Sequence, residues 1–240
     1  MLENRNNLRP EETVVFANAW LDHRLESVQL HSSILYPKII ELLQPAVGAV
    51  IADYGCGAGD LTLELLKELR PSRLIAIDLN QHLLDRFQIA CNNSAEVICQ
   101  DIAEPSSIVS NSVEGLVCSN VIMHLSDLEC ANLFKEISRV LSSTAVATVV
   151  FTHPLWAELK YRQSNQAGDS FETIRSWQGC EFIQRYRSIS DYRHLLNEAG
   201  LRVDSETTIG VPDLPGLSPR YREHVKHPIF CMLELRRKYI

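Results

Sequence analysis

An acid followed by three glycines stands out in Ile51-Ala52-Asp53-Tyr54-Gly55-Cys56-Gly57-Ala58-Gly59-Asp60-Leu61. Glycine has no Cβ, so at 55, 57 and 59 the chain can turn sharply and lie close to a ligand. The apolar run Ala49-Val50-Ile51-Ala52 ahead of the turn reads as a buried strand. Leucines at 61, 65, 66 and 69 behind it read as a helix. Strand, turn and helix together predict a polar pocket at the carboxyl edge of a sheet, with Asp53 and bare helix-start amides lining it. Two further acids, Asp78 and Asp101, close later apolar runs. A carboxylate at position 78 can accept both hydroxyls of a ribose.

The glycine spacing separates two classes of nucleotide site. A dinucleotide fingerprint, G-x-G-x-x-G, puts its third glycine three places after the second. Here the third comes two places after, and Asp60 would set a negative charge beside a pyrophosphate. Asp53 instead suits a ligand with a cationic amine. Asp-x-Gly-x-Gly-x-Gly resembles motif I of the class I S-adenosylmethionine (SAM) dependent methyltransferases. The resemblance extends well over residues 45–150 and more loosely over 190–238. It implies that Asp53, Tyr54, Gly55 and Gly57 meet the cofactor at the first strand, and Asp78 with Leu79 at the second. It further implies that Asp101 meets the adenine amino group while Ile102 packs on the ring. Asn120 and Val121, in Ser119-Asn120-Val121-Ile122-Met123-His124, match the motif beside the methionine part. The implied cofactor is SAM, with S-adenosylhomocysteine as product and no metal.

The elements needed to hold these residues fit within 240 residues, enough for one α/β domain with a modest extra lobe. A hydrophobic content of 45% and a charged content of 22% are ordinary for a globular chain. The net charge of −7 argues against a surface for the phosphate backbone, and Arg236-Arg237-Lys238 is too short a basic run to change that. Nucleic acid is not expected as a partner. No stretch approaches the ~20 apolar residues of a membrane span, and the polar first seven residues lack the apolar core of a signal peptide. Seven scattered cysteines without a C-x-x-C predict reduced thiols and a cytoplasmic location. Cys56 reads as a small residue facing the sheet, not a nucleophile.

Four parts are expected: a helical cap over 1–44, a SAM-binding core over 45–152, a substrate lid over 153–188, and the end of the core sheet over 189–240. The cap reads as two helices, with Pro37 marking a start or kink. Apolar runs over 73–78, 95–100, 113–119 and 145–152 continue the sheet, with a helix from about 127 to 141 before the last. Ser190 is a suitable N-cap and Gly200 a suitable terminator for a helix between them. No helix fits between the strands at 201–209 and 229–235, so they should close the sheet as an antiparallel hairpin. The fold class is therefore α/β: a Rossmann-like, seven-stranded, mostly parallel sheet with a terminal antiparallel hairpin, an N-terminal cap and an inserted lid, part helix and part hairpin.

Methyl transfer from a sulfonium needs mainly an aligned nucleophile within about 3–3.5 Å, and a base only if the nucleophile must lose a proton. His124 and His153 follow strand ends and titrate in the useful range. The aromatic lid and its arginines suggest a small methyl acceptor, aromatic or acidic, modified at N, O or C. Tyr36, Trp156, Tyr161, Trp177, Tyr186 and Arg187 are the candidates to hold it, with Trp20 and His31 also facing the mouth and Arg175 and Arg185 able to pair an acidic group. A peptide or protein acceptor, a non-methylating SAM-binding role and, more remotely, an NAD-dependent dehydrogenase are the alternatives. Oligomeric state is not legible.

Overall fold

The run Val146-Ala147-Thr148-Val149-Val150-Phe151 is buried throughout, as only a strand covered on both faces can be. It lies in the interior of a seven-stranded sheet in the computed structural model. The structure describes residues 28–163, 169–177, 180–213 and 227–238, together with positions 18, 21 and 225. Trp20, the first expected cap helix and the side chain of Trp177 lie outside the described residues.

The strands are β1 (Val50–Tyr54), β2 (Arg73–Asp78), β3 (Glu96–Cys99), β4 (Val113–Ser119), β5 (Leu141–Thr152), β8 (Leu201–Gly210) and β9 (Pro228–Arg237), in the order β3-β2-β1-β4-β5-β9-β8. The first five run parallel, and β9 pairs antiparallel with both β5 and β8. The expected terminal hairpin is present, with β9 inserted between β5 and β8. The order reverses direction between β1 and β4, which opens a crevice at their carboxyl ends.

Helices cover both faces: α1 (Tyr36–Leu43), α2 (Asp60–Leu69) and α3 (Gln81–Ala90) on one, α4 (Asp127–Val140) and α6 (Ile189–Glu198) on the other. Ile39, Leu43, Leu65 and Phe87 fill the first layer, while Leu133, Phe134, Ile137, Tyr192 and Leu196 fill the second. Pro37 sits in the first turn of α1, where a missing N–H costs nothing, and a π-helical turn, His31–Leu35, precedes it. The cap of α6 is Ser188, not Ser190. Ser188 accepts from the Asp191 amide while the Asp191 carboxylate accepts from the Ser188 amide, a reciprocal box that Ser190 has no acid in position to form. Gly200 ends that helix at φ +79°, as expected.

Between β5 and α6 lie α5 (Pro154–Tyr161) and a separate two-stranded hairpin, β6 (Phe171–Trp177) with β7 (Cys180–Tyr186). The segment expected as a lid is thus part helix and part hairpin. Among the described residues no helix is long and apolar enough to cross a membrane.

Candidate functional site

Asp53 ends β1 with its side chain buried against α2, 2% exposed, where its Oδ2 accepts from the Thr62 hydroxyl at 2.6 Å. Burial pushes its pKa up to about 7; the Thr62 hydrogen bond opposes this, and the charge of nearby Asp78 adds to it. Neither neighbour is cationic, so among the described residues the ionised carboxylate has no counter-charge beside it. Tyr54 alternates to the opposite face of β1. Its ring is wholly buried in the layer under α4, so only its backbone, and not its side chain as expected, can reach the mouth.

The glycine turn closes tightly over β2. Gly55 and Cys56 donate their amides to the Ile77 carbonyl at 2.7 and 3.0 Å, and Gly57 donates to Asp78 Oδ2 at 2.8 Å. Gly59 donates to the Cys56 carbonyl at 3.0 Å. At these four positions, which precede the helix start where bare amides are expected, the turn's N–H groups are engaged inside the protein. Two glycines are enforced sterically as well as by φ. A Cβ on Gly55 (φ +78°) would come 2.4 Å from Val121 Cγ2, and one on Gly59 (φ +83°) 1.9 Å from the Phe87 ring.

At the tip of β2, Asp78 also accepts from the Asn80 amide at 2.9 Å, so its carboxylate is aimed by two backbone donors. Burial raises its pKa, with the Asn80 and Gly57 amides pulling the other way. Leu79 beside it is exposed at 42%. Asp101 accepts from the Ala103 amide at 2.9 Å in a turn beyond β3, and Ile102 is buried. Asn120 adopts a left-handed conformation, φ +58°, just past β4, and its amide donates to the Val150 carbonyl. Val121 then rests on the glycine turn at Gly55. Asp53, Asp78, Asp101 and Asn120 thus stand at or just beyond the ends of successive parallel strands.

The two histidines differ. His124 closes a 3₁₀ turn (Ile122–His124), and its ring lies 5.6 Å from that of Phe182 on β7. His153 is buried and caps α5, its Nδ1 accepting from the Leu155 amide at 3.2 Å. That bond puts the proton of the neutral ring on Nε2 and leaves no free lone pair, and burial lowers the pKa further. His153 is therefore a cap and not a base.

Several expected acceptor residues turn inward. Arg187 is 5% exposed and donates to the Leu125 carbonyl (2.7 Å), the Ile122 carbonyl (3.4 Å) and Asp127 (2.8 Å). It ties the base of the hairpin to the segment after β4, with all three of its nitrogens bonded inside the fold. Trp156 and Tyr36 are buried in the layer beneath α1. His31 lies edge-on to Phe230, and burial lowers its pKa to about 4 against a pull from Asp60. Tyr161 and Tyr186 stack on each other, with centroids 5.4 Å apart. The sequence reading missed Thr62. Its signal was a hydroxyl at i of the inward i, i+3, i+7 stripe completed by Leu65 and Leu69.

The donor set decides between ligands. Carboxylates at 53 and 78, beside a turn whose amides are engaged, put negative charge where a pyrophosphate would be least favoured. They fit a ligand whose ribose hydroxyls reach Asp78 and whose cationic end offsets Asp53. A model of the methyltransferase domain matches residues 51–144, the span from β1 into β5. Over that span the chain is similar to the methyltransferase domain family. Phosphoethanolamine N-methyltransferase 3 of Arabidopsis thaliana is 26% identical over 175 residues, 67% of this chain. The chain spans about a third, 33%, of that relative's length. Among solved structures, a SAM-dependent methyltransferase of Mesorhizobium loti superposes with a TM-score of 0.65 at 18% identity, covering 84% of this chain and 96% of its own. One from Methanosarcina mazei gives 0.66 at 20%, covering 86% and 100%. The complex of DhpI with S-adenosylhomocysteine gives 0.66 at 14%, covering 96% and 98%. At these identities the structural likeness speaks for the fold of the methyltransferase alone.

Proposed function

We propose that the chain transfers the methyl group of SAM to N, O or C of a small, aromatic or acidic acceptor. The observation that carries this reading is the buried Asp53 carboxyl, which has no cation beside it among the described residues and stands one strand from the Asp78 carboxylate. Asp53 and the turn at Gly55 and Gly57 would hold the amino-acid end of SAM, Asp78 and Leu79 the ribose, Asp101 and Ile102 the adenine, and Asn120 and Val121 the region near the sulfur. Bound SAM supplies a methyl group already activated by its sulfonium, so the reading calls for no metal. The protein's task is then to align the acceptor and exclude water. His124, after Asn120 and against the lid, is the group proposed to take a proton where the acceptor carries one. Arabidopsis phosphoethanolamine N-methyltransferase 3 makes phosphoethanolamine the first acceptor to try.

The test is production of S-adenosylhomocysteine from SAM by the purified chain across a panel of amines, phenols and carboxylic acids that includes phosphoethanolamine. Acceptor-dependent product supports the reading. Product formed only with peptides would move the acceptor to the protein class, and SAM binding without turnover on any panel member would favour a non-methylating role.

A further inference from the structure

The lid hairpin has one wet face and one inward face. Glu172, Ile174 and Ser176 of β6 are exposed, Ile174 at 62%. The alternate positions Phe171, Thr173 and Arg175 lie opposite Tyr186, Gln184 and Phe182 of β7 in the antiparallel register, and directly opposed residues share a face. That face meets the site. Phe182 touches the His124 ring, and Val121, three residues before His124, packs on the glycine turn. Tyr161 of α5 stacks on Tyr186, and the Arg175 guanidinium lies 4.0 Å over the Tyr161 ring.

Arg175 is the unusual member. Its Nη1 is buried and has no hydrogen-bond partner. By contrast Arg185, on the same hairpin, is bonded to Glu172 at 2.6 Å, and Arg187 is fully engaged as described above. An arginine N–H removed from water without an acceptor is costly, and arginine's planar fork is suited to carboxylate and phosphate oxygens. The rings beneath it keep the guanidinium charged and in place, and the guanidinium donates to the Tyr186 hydroxyl while Nη1 stays without an acceptor.

We propose that Arg175, set on the Tyr161–Tyr186 stack, is the receptor for an oxyanion, carboxylate or phosphate monoester, carried by the methyl acceptor. Arg175 then fixes the acidic end of the acceptor on the lid and leaves its other end toward His124 and the glycine turn. The assignment rests on the methyltransferase reading of the cleft and narrows its acceptor to an anionic molecule.

The experiment is calorimetric titration of the full chain, saturated with S-adenosylhomocysteine, with inorganic phosphate, with acetate and with phosphoethanolamine. Wild-type protein is expected to bind at least one of them, and Arg175→Gln to weaken that ligand by roughly tenfold or more. Arg175→Lys should recover part of the affinity, while Arg185→Gln should change nothing. Phosphate bound without acetate identifies a phosphate monoester, and the reverse identifies a carboxylate. If saturated wild-type protein binds none of the three at millimolar concentration, the proposal is overturned, and this arm needs no variant. Equal affinity in Arg175→Gln, with its melting temperature and S-adenosylhomocysteine affinity retained, overturns it also. A chain that fails to bind S-adenosylhomocysteine at all would instead remove the methyltransferase reading beneath it.

Discussion

Asp53 is the residue on which cofactor choice turns. Its carboxyl, near 3.8 in an unfolded chain, moves to about 7 in the fold chiefly through burial. The folded protein therefore holds this proton more tightly than the unfolded one. Its contribution lowers the stability of the ligand-free protein as pH rises from about 4 to about 7, and the full cost persists above that. Asp53→Asn removes the titration. The ligand-free variant should be more stable than wild type by up to about 4 kcal/mol at pH 8 and no more stable near pH 4. The same variant should lose most of its affinity for SAM, because the counter-charge is gone. Thermal melts across pH check the first statement and calorimetry the second. A variant that tracks the wild-type pH profile would mean that Asp53 is ionised and satisfied by groups other than those identified. The sequence placed this acid in the right spot because an acid before glycines at a strand end is a local pattern. Its shifted pKa was not legible, since it depends chiefly on burial, which the packed fold creates, and then on Thr62 and Asp78, 9 and 25 residues away.

Elements set these residues by close packing, and the glycine turn is the tightest case. Gly59→Ala would force a left-handed φ on a residue with a Cβ and drive that Cβ into Phe87 of α3. The expected cost is roughly 2–5 kcal/mol, read from denaturant unfolding; a loss under about 1 kcal/mol would show that the turn can relax. A second element-level device is Arg187, which joins β7 to the 3₁₀ turn carrying His124. Its carbonyl bonds are buried, whereas its carboxylate partner Asp127 is 85% exposed. Arg187→Leu should therefore cost about 2–4 kcal/mol, and Asp127→Asn less than about 1 kcal/mol, because an exposed charge partner contributes little. Equal losses would assign the tie to the ion pair. The strands and the helix terminus at Gly200 were readable because apolar runs and glycine stops are local. Arg187 was not: a basic residue among lid aromatics looks like a substrate contact until the fold brings two carbonyls, 62 and 65 residues back, onto its guanidinium. The choice of Ser188 over Ser190 was decided by Asp191, three residues past Ser188, a box that could have been found in the sequence.

At the scale of the molecule, the fold follows from one switch in strand order. Parallel pairing on both sides of β1 brings Asp53, Asp78, Asp101 and Asn120 to one sheet edge, and β9 closes the far side antiparallel. The strands and the closing hairpin were visible as apolar runs ending in polar or acidic residues, with no helix between the last two strands, whereas the strand order and the place of β9 between β5 and β8 were not. What the lid contributes was visible only as composition, because the pairing of β6 with β7 decides which side chains face inward. The central claim is that this edge holds an adenosyl ligand with a cationic end and not a dinucleotide. Calorimetric titration of the full chain with SAM, S-adenosylhomocysteine and NAD, beside an Asp78→Ala variant, tests it most directly. The expected result is micromolar binding of both adenosyl ligands, no binding of NAD, and loss of all binding in Asp78→Ala with its melting temperature little changed. Binding of NAD alone, or unchanged affinity for SAM in Asp78→Ala, would contradict it.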